Sequence, residues 1–269
     1  MGWLSVDRGE SPLVVAIPHG GTDLAGLDAQ FVSPWLARRD TDWWMAELYA
    51  FARDLGATVV ATGVSRSVID CNRDPSGASL YPGQATTELV PTMTFDGEPL
   101  YAGALPDQAA IAERRAAYFD PYHTALAGEI ARLRAQHGTV VLYDAHSIRS
   151  RIPRLFDGEL PQFNIGTNSG ASCDAALEHA IAGVCTASGL GHVVNGRFKG
   201  GWTTRHYGRP EQGVHAVQME LALRGYVDEP ATIDPTNWPA PIAAAPVIAP
   251  TLHRVLEAAL AFARQGETA

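Results

Sequence analysis

Residues Thr139 to Arg149 read TVVLYDAHSIR. Val140, Val141, Leu142 and Tyr143 follow a glycine that closes a helix-like run. An uninterrupted apolar run of this kind reads as a strand buried on both faces of a sheet. The chain then turns polar at once, at Asp144, Ala145, His146 and Ser147. In open α/β sheets, ligand sites lie just past the carboxyl ends of the strands. An imidazole there, two residues after a carboxylate, is a candidate metal ligand or proton carrier. A histidine that merely caps a loop would look the same in isolation, so the reading depends on the other strand ends.

Toward the amino terminus, Leu13 to Ile17 (LVVAI) is a strand that ends in Pro18-His19-Gly20-Gly21. The glycines let backbone approach whatever His19 faces, although a plain glycine turn competes with that reading. Thr58 to Thr62 (TVVAT) is another strand. It is followed by Ser65 to Pro75, SRSVIDCNRDP, with Arg66, Asp70, Asn72 and Arg73. That segment reads either as a solvated edge strand or as a site where arginine meets a carboxylate at two points. Asp40-Thr41-Asp42 precedes a helical face of Trp44, Leu48, Phe51 and Leu55; capping needs one acid, which leaves the second for another role. Toward the carboxyl terminus, Val214 to Leu221 (VHAVQMEL) is a strand holding Glu220. An acid in an apolar strand is costly unless it is paired or functional.

The remaining segments complete an α/β pattern. Ser76 to Tyr101 is rich in Gly, Pro and Thr and reads as a long excursion over the surface. Asp107 to Gln136 is helical, with a break expected near Asp120-Pro121. Cys173 to Ala187 reads as a helix, His192 to Asn195 as a short strand, and Thr251 to Arg264 as an amphipathic helix. Leu190 to Pro210 lacks acidic residues but holds Arg197, Lys199, Arg205 and Arg209, a basic loop in which Gly200-Gly201 suggests mobility. With no repeat or linker in 269 residues, the expectation is one domain, 1–269, with a mixed sheet flanked by helices.

A net charge of −9 argues against a nucleic-acid or anionic-membrane partner and leaves a small molecule as the expected ligand. Three cysteines, none in a CxxC pair, do not make a disulfide framework. The start, MGWLSVDRGE, lacks a signal-peptide pattern, and no apolar run reaches membrane-spanning length, so a cytoplasmic location is expected.

Two histidines at separate strand ends, an aspartate and a glutamate suffice for metal-assisted amide hydrolysis. Zinc on two imidazoles and one carboxylate keeps an open position. It acidifies water and polarises a carbonyl, while a nearby carboxylate moves the proton.

The blocks PHGGTDL, DTDWW with LY four residues on, SRSVIDCNRDP, TTELVPT, YDAHSIRS, GRFKGGWTTRHYG and VHAVQMEL resemble those of N-formylglutamate deformylases (N-formylglutamate amidohydrolases). The resemblance runs from about His19 to Tyr226. It implies a fold like that of zinc carboxypeptidases and aspartoacylases, and hydrolysis of N-formyl-L-glutamate to formate and L-glutamate as the last step of a histidine-degradation route. It further implies zinc on His19 and His146, Glu220 as base and acid, Arg66 at the oxyanion, and Asn72 with Arg73 on the α-carboxylate. Zinc carboxypeptidases place their acidic ligand three residues after the first histidine, a position held here by Thr22. Asp23 is one residue too far, so the acid is expected from the DTD block, Asp40 or Asp42.

The substrate's second carboxylate needs its own cation. Candidates are Arg149 and Arg151 after His146, and Lys199, Arg205 and Arg209 in the acid-free loop, with Arg205 first because it lies on the approach to Glu220. Alternative activities are deacylation of another N-acyl amino acid and carboxypeptidase action. A non-catalytic binder of acidic metabolites would have no use for a base beside a metal.

Overall fold

The computed structural model describes residues 2–78, 83 and 86–265. Among them seven strands form one mixed sheet: β1 (Leu4–Asp7), β2 (Leu13–Ile17), β3 (Thr58–Thr62), β4 (Val140–Ile148), β5 (Phe163–Gly166), β6 (His192–Val194) and β7 (Val214–Ala222), in the order β1-β3-β2-β4-β7-β5-β6. The four inner strands β3, β2, β4 and β7 are parallel, β1 runs against β3, and β5 runs against β7 and along β6. The helices are α1 (Pro34–Arg38), α2 (Met45–Leu48), α3 (Gln108–Arg114), α4 (Asp120–His137), α5 (Ala175–Ala187), α6 (Trp202–Tyr207) and α7 (Ala249–Gln265). None of them is long and apolar enough to cross a membrane. The mixed α/β sheet flanked by helices expected from the sequence is the architecture observed.

The apolar runs fix this arrangement. Alternate residues of a strand face opposite sides, and here both sides are covered. Val141, Tyr143 and Ala145 share a core with Leu177 and Ile181 of α5 and Leu252, Val255 and Leu256 of α7. Val140 and Leu142 share a second core with Tyr122, Leu126, Ile130 and Leu133 of α4. Each fully buried side chain of this size contributes about 1.5–3 kcal/mol. A one-residue slip would exchange the two sets between unlike cores, so the register is tightly specified.

Several elements differ from expectation. Strand β4 continues through the polar residues to Ile148, so His146 lies within a strand and not in the loop beyond it. Residues 65–72 form a wholly buried turn, not a solvated edge. Asp40 and Asp42 cap nothing in the next helix: α2 is a single turn that begins after Trp44, at φ 61°, without a side-chain cap. Pro121 does not break the long helical segment, because it stands in the first turn of α4, where its missing N–H is not needed; a π-helical turn, Arg115–Phe119, joins α3 to α4. Of the expected surface excursion, residues 79–82, 84 and 85 lie outside the described residues. Its later part is a packed wall, with Leu89, Val90, Phe95, Leu100 and Tyr101 all buried.

Gly21 owes its identity to a neighbouring strand. A Cβ there would overlap the backbone of Gly63 and Val64, where the exits of β2 and β3 meet in a bridge between Gly21 and Ser65. At Gly20 the tightest contact is Ile17 Cγ2, a side-chain atom, at 3.1 Å. Gly21→Ala is therefore expected to destabilise by about 1–3 kcal/mol, read as a lower urea midpoint, with Gly20→Ala costing less. Equal midpoints for the two variants would refute the backbone-crowding account.

Candidate active site

Four polar side chains reach one place because of strand periodicity. On β4, Val140 and Leu142 lead on the same face to Asp144 and His146; on β7, Val214 and Ala216 lead to Gln218 and Glu220. The ladder sets His146 directly opposite Glu220. Strand β2 pairs with β4 through Ala16 and Asp144, so its exit delivers His19 beside His146. The two imidazole centroids are 4.8 Å apart.

Asp42 stands between these rings. Its Oδ2 is 3.1 Å from His146 Nδ1 and 3.7 Å from His19 Nδ1. The Asp42 N–H donates to the His19 carbonyl at 3.0 Å, and the Ser147 N–H donates to Asp42 Oδ2 at 3.1 Å. The far side of each ring meets another carboxylate: His19 Nε2 lies 2.6 Å from Asp70 Oδ1, and His146 Nε2 lies 3.1 Å from Asp144 Oδ1. Carboxylates placed in this way orient metal-ligating imidazoles. His19 Nδ1 is buried without a hydrogen-bond partner among the described residues. The ligand atoms of His19, Asp42 and His146 lie within 4.8 Å of one another, a group that can hold a metal ion.

The charges form a tight circuit. Arg66 donates from Nη1 to Asp42 at 3.2 Å and from Nη2 to Asp70 at 2.8 Å, and its Cζ lies 4.8 Å from the Phe95 ring centroid. Burial alone would raise the Asp42 pKa, but His19, hydrogen bonding from His146 and the Arg66 charge push it well below the carboxylate range. Asp70 is likewise held low against its burial by Arg73, His19 and Arg66. Burial disfavours the charged form of His146, yet Asp144 and Asp42 raise its pKa well above the ordinary value. Glu220 goes the other way: burial lifts its carboxyl to about 8, against the pull of His146.

Gln218 donates to Glu220 Oε2 at 3.2 Å and accepts from the Gly201 N–H at 2.6 Å. Asn72 uses both ends of its amide inward. Its Oδ1 accepts the Thr203 N–H at 2.8 Å, and its Nδ2 donates to Asp144 at 3.3 Å and lies 2.9 Å from His146 Nε2. Arg73 is anchored to Thr87 through Nε and Nη2 and to the Asn72 carbonyl through Nη1.

A cavity of about 600 Å³, its open mouth included, is bounded by His19, Arg66, Asn72, Arg73, His146 and Glu220. Gln218, Thr87, Phe95, Ile148, Leu155, Arg197 and Phe198 also face it. Asp42 lies behind the two histidines and not among the lining residues, and Asp40, Arg149, Lys199 and Arg205 do not line the cavity either. Asp40 accepts the Phe95 N–H at 2.6 Å and lies 3.5 Å from Arg149, away from the histidines. Arg149 pairs with Asp96 at 2.7 Å. Arg205 donates from Nε to the Gly200 carbonyl at 2.9 Å, and Lys199 is exposed. Arg205 belongs to the helical turn α6, which the loop's composition does not reveal. Arg197, Gln218 and Asp70 were not singled out from the sequence as site residues. For Gln218 the signal was present, two residues before Glu220 on the same strand face.

A family model described as N-formylglutamate amidohydrolase matches residues 11–227. The chain is 48% identical over 268 residues to an N-formylglutamate deformylase of Pseudomonas aeruginosa, covering 97% of both chains. It is 50% identical over 232 residues to one of Pseudomonas putida, covering 84% of this chain and 85% of the other. Among solved structures, the N-formylglutamate amidohydrolase of Ralstonia eutropha superimposes with a TM-score of 0.79 at 22% identity, covering 100% of this chain and 99% of the other. A gene product of Agrobacterium tumefaciens gives 0.69 at 18%, covering 97% and 96%. These two likenesses concern the fold.

Two outcomes are expected from this geometry. Asp42→Asn should lose bound zinc on dialysis whereas Asp40→Asn keeps it, as measured by elemental analysis; zinc loss from Asp40→Asn alone would reverse the assignment. In metal-free protein, the fold holds a proton on Glu220 that the unfolded chain has released once the pH exceeds about 4.5. Its contribution to stability therefore falls as the pH rises from about 4.5 to about 8. Glu220→Gln removes that slope, so the variant should gain stability over the parent across this window. Parallel pH profiles of the denaturation midpoint would contradict it.

Proposed function

The chain belongs to the N-formylglutamate amidohydrolase family, and from that premise we propose that it hydrolyses N-formyl-L-glutamate to formate and L-glutamate, with zinc held by His19, Asp42 and His146. The observation that carries this reading is the buried His19–Asp42–His146 group with Glu220 opposite His146 in the ladder, at the floor of a cavity with arginines in its wall. The donor set suits zinc: two imidazoles, one carboxylate and an orphaned buried ring nitrogen at His19. Zinc bound there supplies Lewis acidity to the formyl carbonyl and lowers the pKa of water.

The remaining work falls to side chains. Water adds to the formyl carbon and the C–N bond breaks. Glu220 takes the water proton and returns it to the departing nitrogen. A base needs its ionised form, which burial of Glu220 disfavours and the charge of His146 favours. Arg66, fixed by Asp42 and Asp70, faces the negative charge that develops on the formyl oxygen. Arg73 receives the α-carboxylate, and Asn72, with its amide turned inward, supports His146 and the start of α6. The whole chain acts as one unit, 1–269, on a small-molecule substrate, in a cytoplasmic step that closes a route of histidine degradation.

Zinc-loaded protein should release one formate per N-formyl-L-glutamate consumed. Glu220→Gln is expected to lower kcat by about 10²–10⁴-fold while zinc content stays unchanged. A kcat within a few-fold of the parent would place the base elsewhere.

A further inference from the structure

We propose that Arg197 selects the substrate by binding its side-chain carboxylate, so that the enzyme prefers N-formyl amino acids with an acidic side chain. The proposal rests on the deformylase reading above and adds the residue behind substrate choice. A dicarboxylate entering a confined site needs a counter-charge at each end, because an unpaired carboxylate loses its hydration without compensation. The cations lining the cavity are Arg66, Arg73 and Arg197. Arg66 is bound to Asp42 and Asp70 and serves the reacting carbonyl. Arg73 sits next to Asn72 and serves the α-carboxylate. Arg197 is the third, and Glu220, reserved for proton transfer, is the only acid lining the cavity among the described residues.

Arg197 is also held in place. Its Nε donates to the Leu155 carbonyl at 2.8 Å, and its Cζ lies 5.4 Å from the Phe198 ring centroid. Phe198 meets Phe156 edge-on, with centroids 6.2 Å apart. A guanidinium anchored through Nε and stacked on a ring has a set orientation, which suits it to two-point recognition of a carboxylate. Ile148, Leu155 and Phe198 add apolar wall to the same cavity, matching the two methylenes between the carboxylates of a glutamate skeleton. Arg205, Lys199 and Arg149 do not line this space, so the expectation that one of them meets the second carboxylate gives way to Arg197.

The test compares N-formyl-L-glutamate with its neutral isostere N-formyl-L-glutamine on zinc-loaded parent, Arg197→Gln and Arg197→Lys. For Arg197→Gln, kcat/KM on N-formyl-L-glutamate should fall roughly 10- to 100-fold, mainly through KM. On N-formyl-L-glutamine it should stay within about threefold of the parent. Glutarate should inhibit the parent competitively and the variant far less. Arg197→Lys keeps the charge without the fork, so an intermediate KM on the glutamate substrate alone is expected; it carries the test should Arg197→Gln fail to fold. Equal losses on both substrates would overturn the proposal and reduce Arg197 to a support for the Leu155 segment. Failure of the parent to cleave N-formyl-L-glutamate would instead overturn the deformylase reading.

Discussion

Asp42 and Asp70 are at most 1% exposed, and both are held ionised. A buried carboxylate is tolerated only when its charge is met on several sides. Here Arg66 donates to both acids from one side, while His19 on the other side contacts Asp70 at 2.6 Å and lies 3.7 Å from Asp42, closing a ring of alternating charge. The ring draws together three stretches distant in sequence: the exit of β2, the DTD segment and the buried turn 65–72. Removing one acid would leave Arg66 buried with half of its counter-charge, a loss that approaches the cost of breaking a buried pair, about 3–5 kcal/mol. The turn 65–72, though it carries Arg66 and Asp70, is buried because those charges are satisfied within this ring. A metal ion on His19, Asp42 and His146 would add positive charge where carboxylates crowd, so its binding would draw on the same charges that hold the fold of this corner.

The sheet divides its labour along the strands. The first halves of β4 and β7 contribute Val140, Leu142, Val214 and Ala216 to a core, and the second halves contribute Asp144, His146, Gln218 and Glu220 to the site. The hydrogen-bonded ladder runs unbroken through both halves. It holds His146 and Glu220 on the same hydrogen-bonded strands that build the core, and sites on strands are positioned more closely than sites on loops. Asn72 extends the same economy, because its side-chain oxygen meets an N–H at the start of α6, a group that a helix leaves unsatisfied.

The inner strands were legible because burial on both faces writes a plain apolar run, as in LVVAI, TVVAT and VHAVQMEL. What such runs conceal is where a strand stops. Asp144 and His146 read as the start of a loop, since polarity is the usual mark of one, whereas their partners lie elsewhere in the chain and keep the backbone extended. Short elements such as β1 and β5 have too few residues for a pattern to stand out. The choice between Asp40 and Asp42 was likewise closed to sequence reasoning. Their separation of two residues says nothing of the Trp44 kink or of the His19 carbonyl that holds the Asp42 backbone. The cavity wall was hidden for a related reason: charge composition marked the loop from Leu190 to Pro210, but of its cations only Arg197 lines the cavity among the described residues, while Arg205 is taken up in α6.

Within that loop the two glycines serve close packing. Gly201 has no room for a Cβ, which would overlap the Asn72 amide, and Gly200, at φ +108°, would press on Thr204. The approach lets the Gly201 N–H reach Gln218, whose amide in turn holds Glu220. Arg197 enters the cavity four residues earlier on the same segment. The residue that would read the substrate's side chain and the residue that would move its proton are thus joined by one hydrogen-bonded path, Gly201 to Gln218 to Glu220. Asn72 ties the same segment to His146 through Thr203. A side-chain carboxylate drawing on Arg197 would therefore pull on a segment already bonded to the support of the base and of a candidate metal ligand. That continuity would couple the choice of substrate, on a loop without a single acidic residue, to the strands that hold Glu220 and His146.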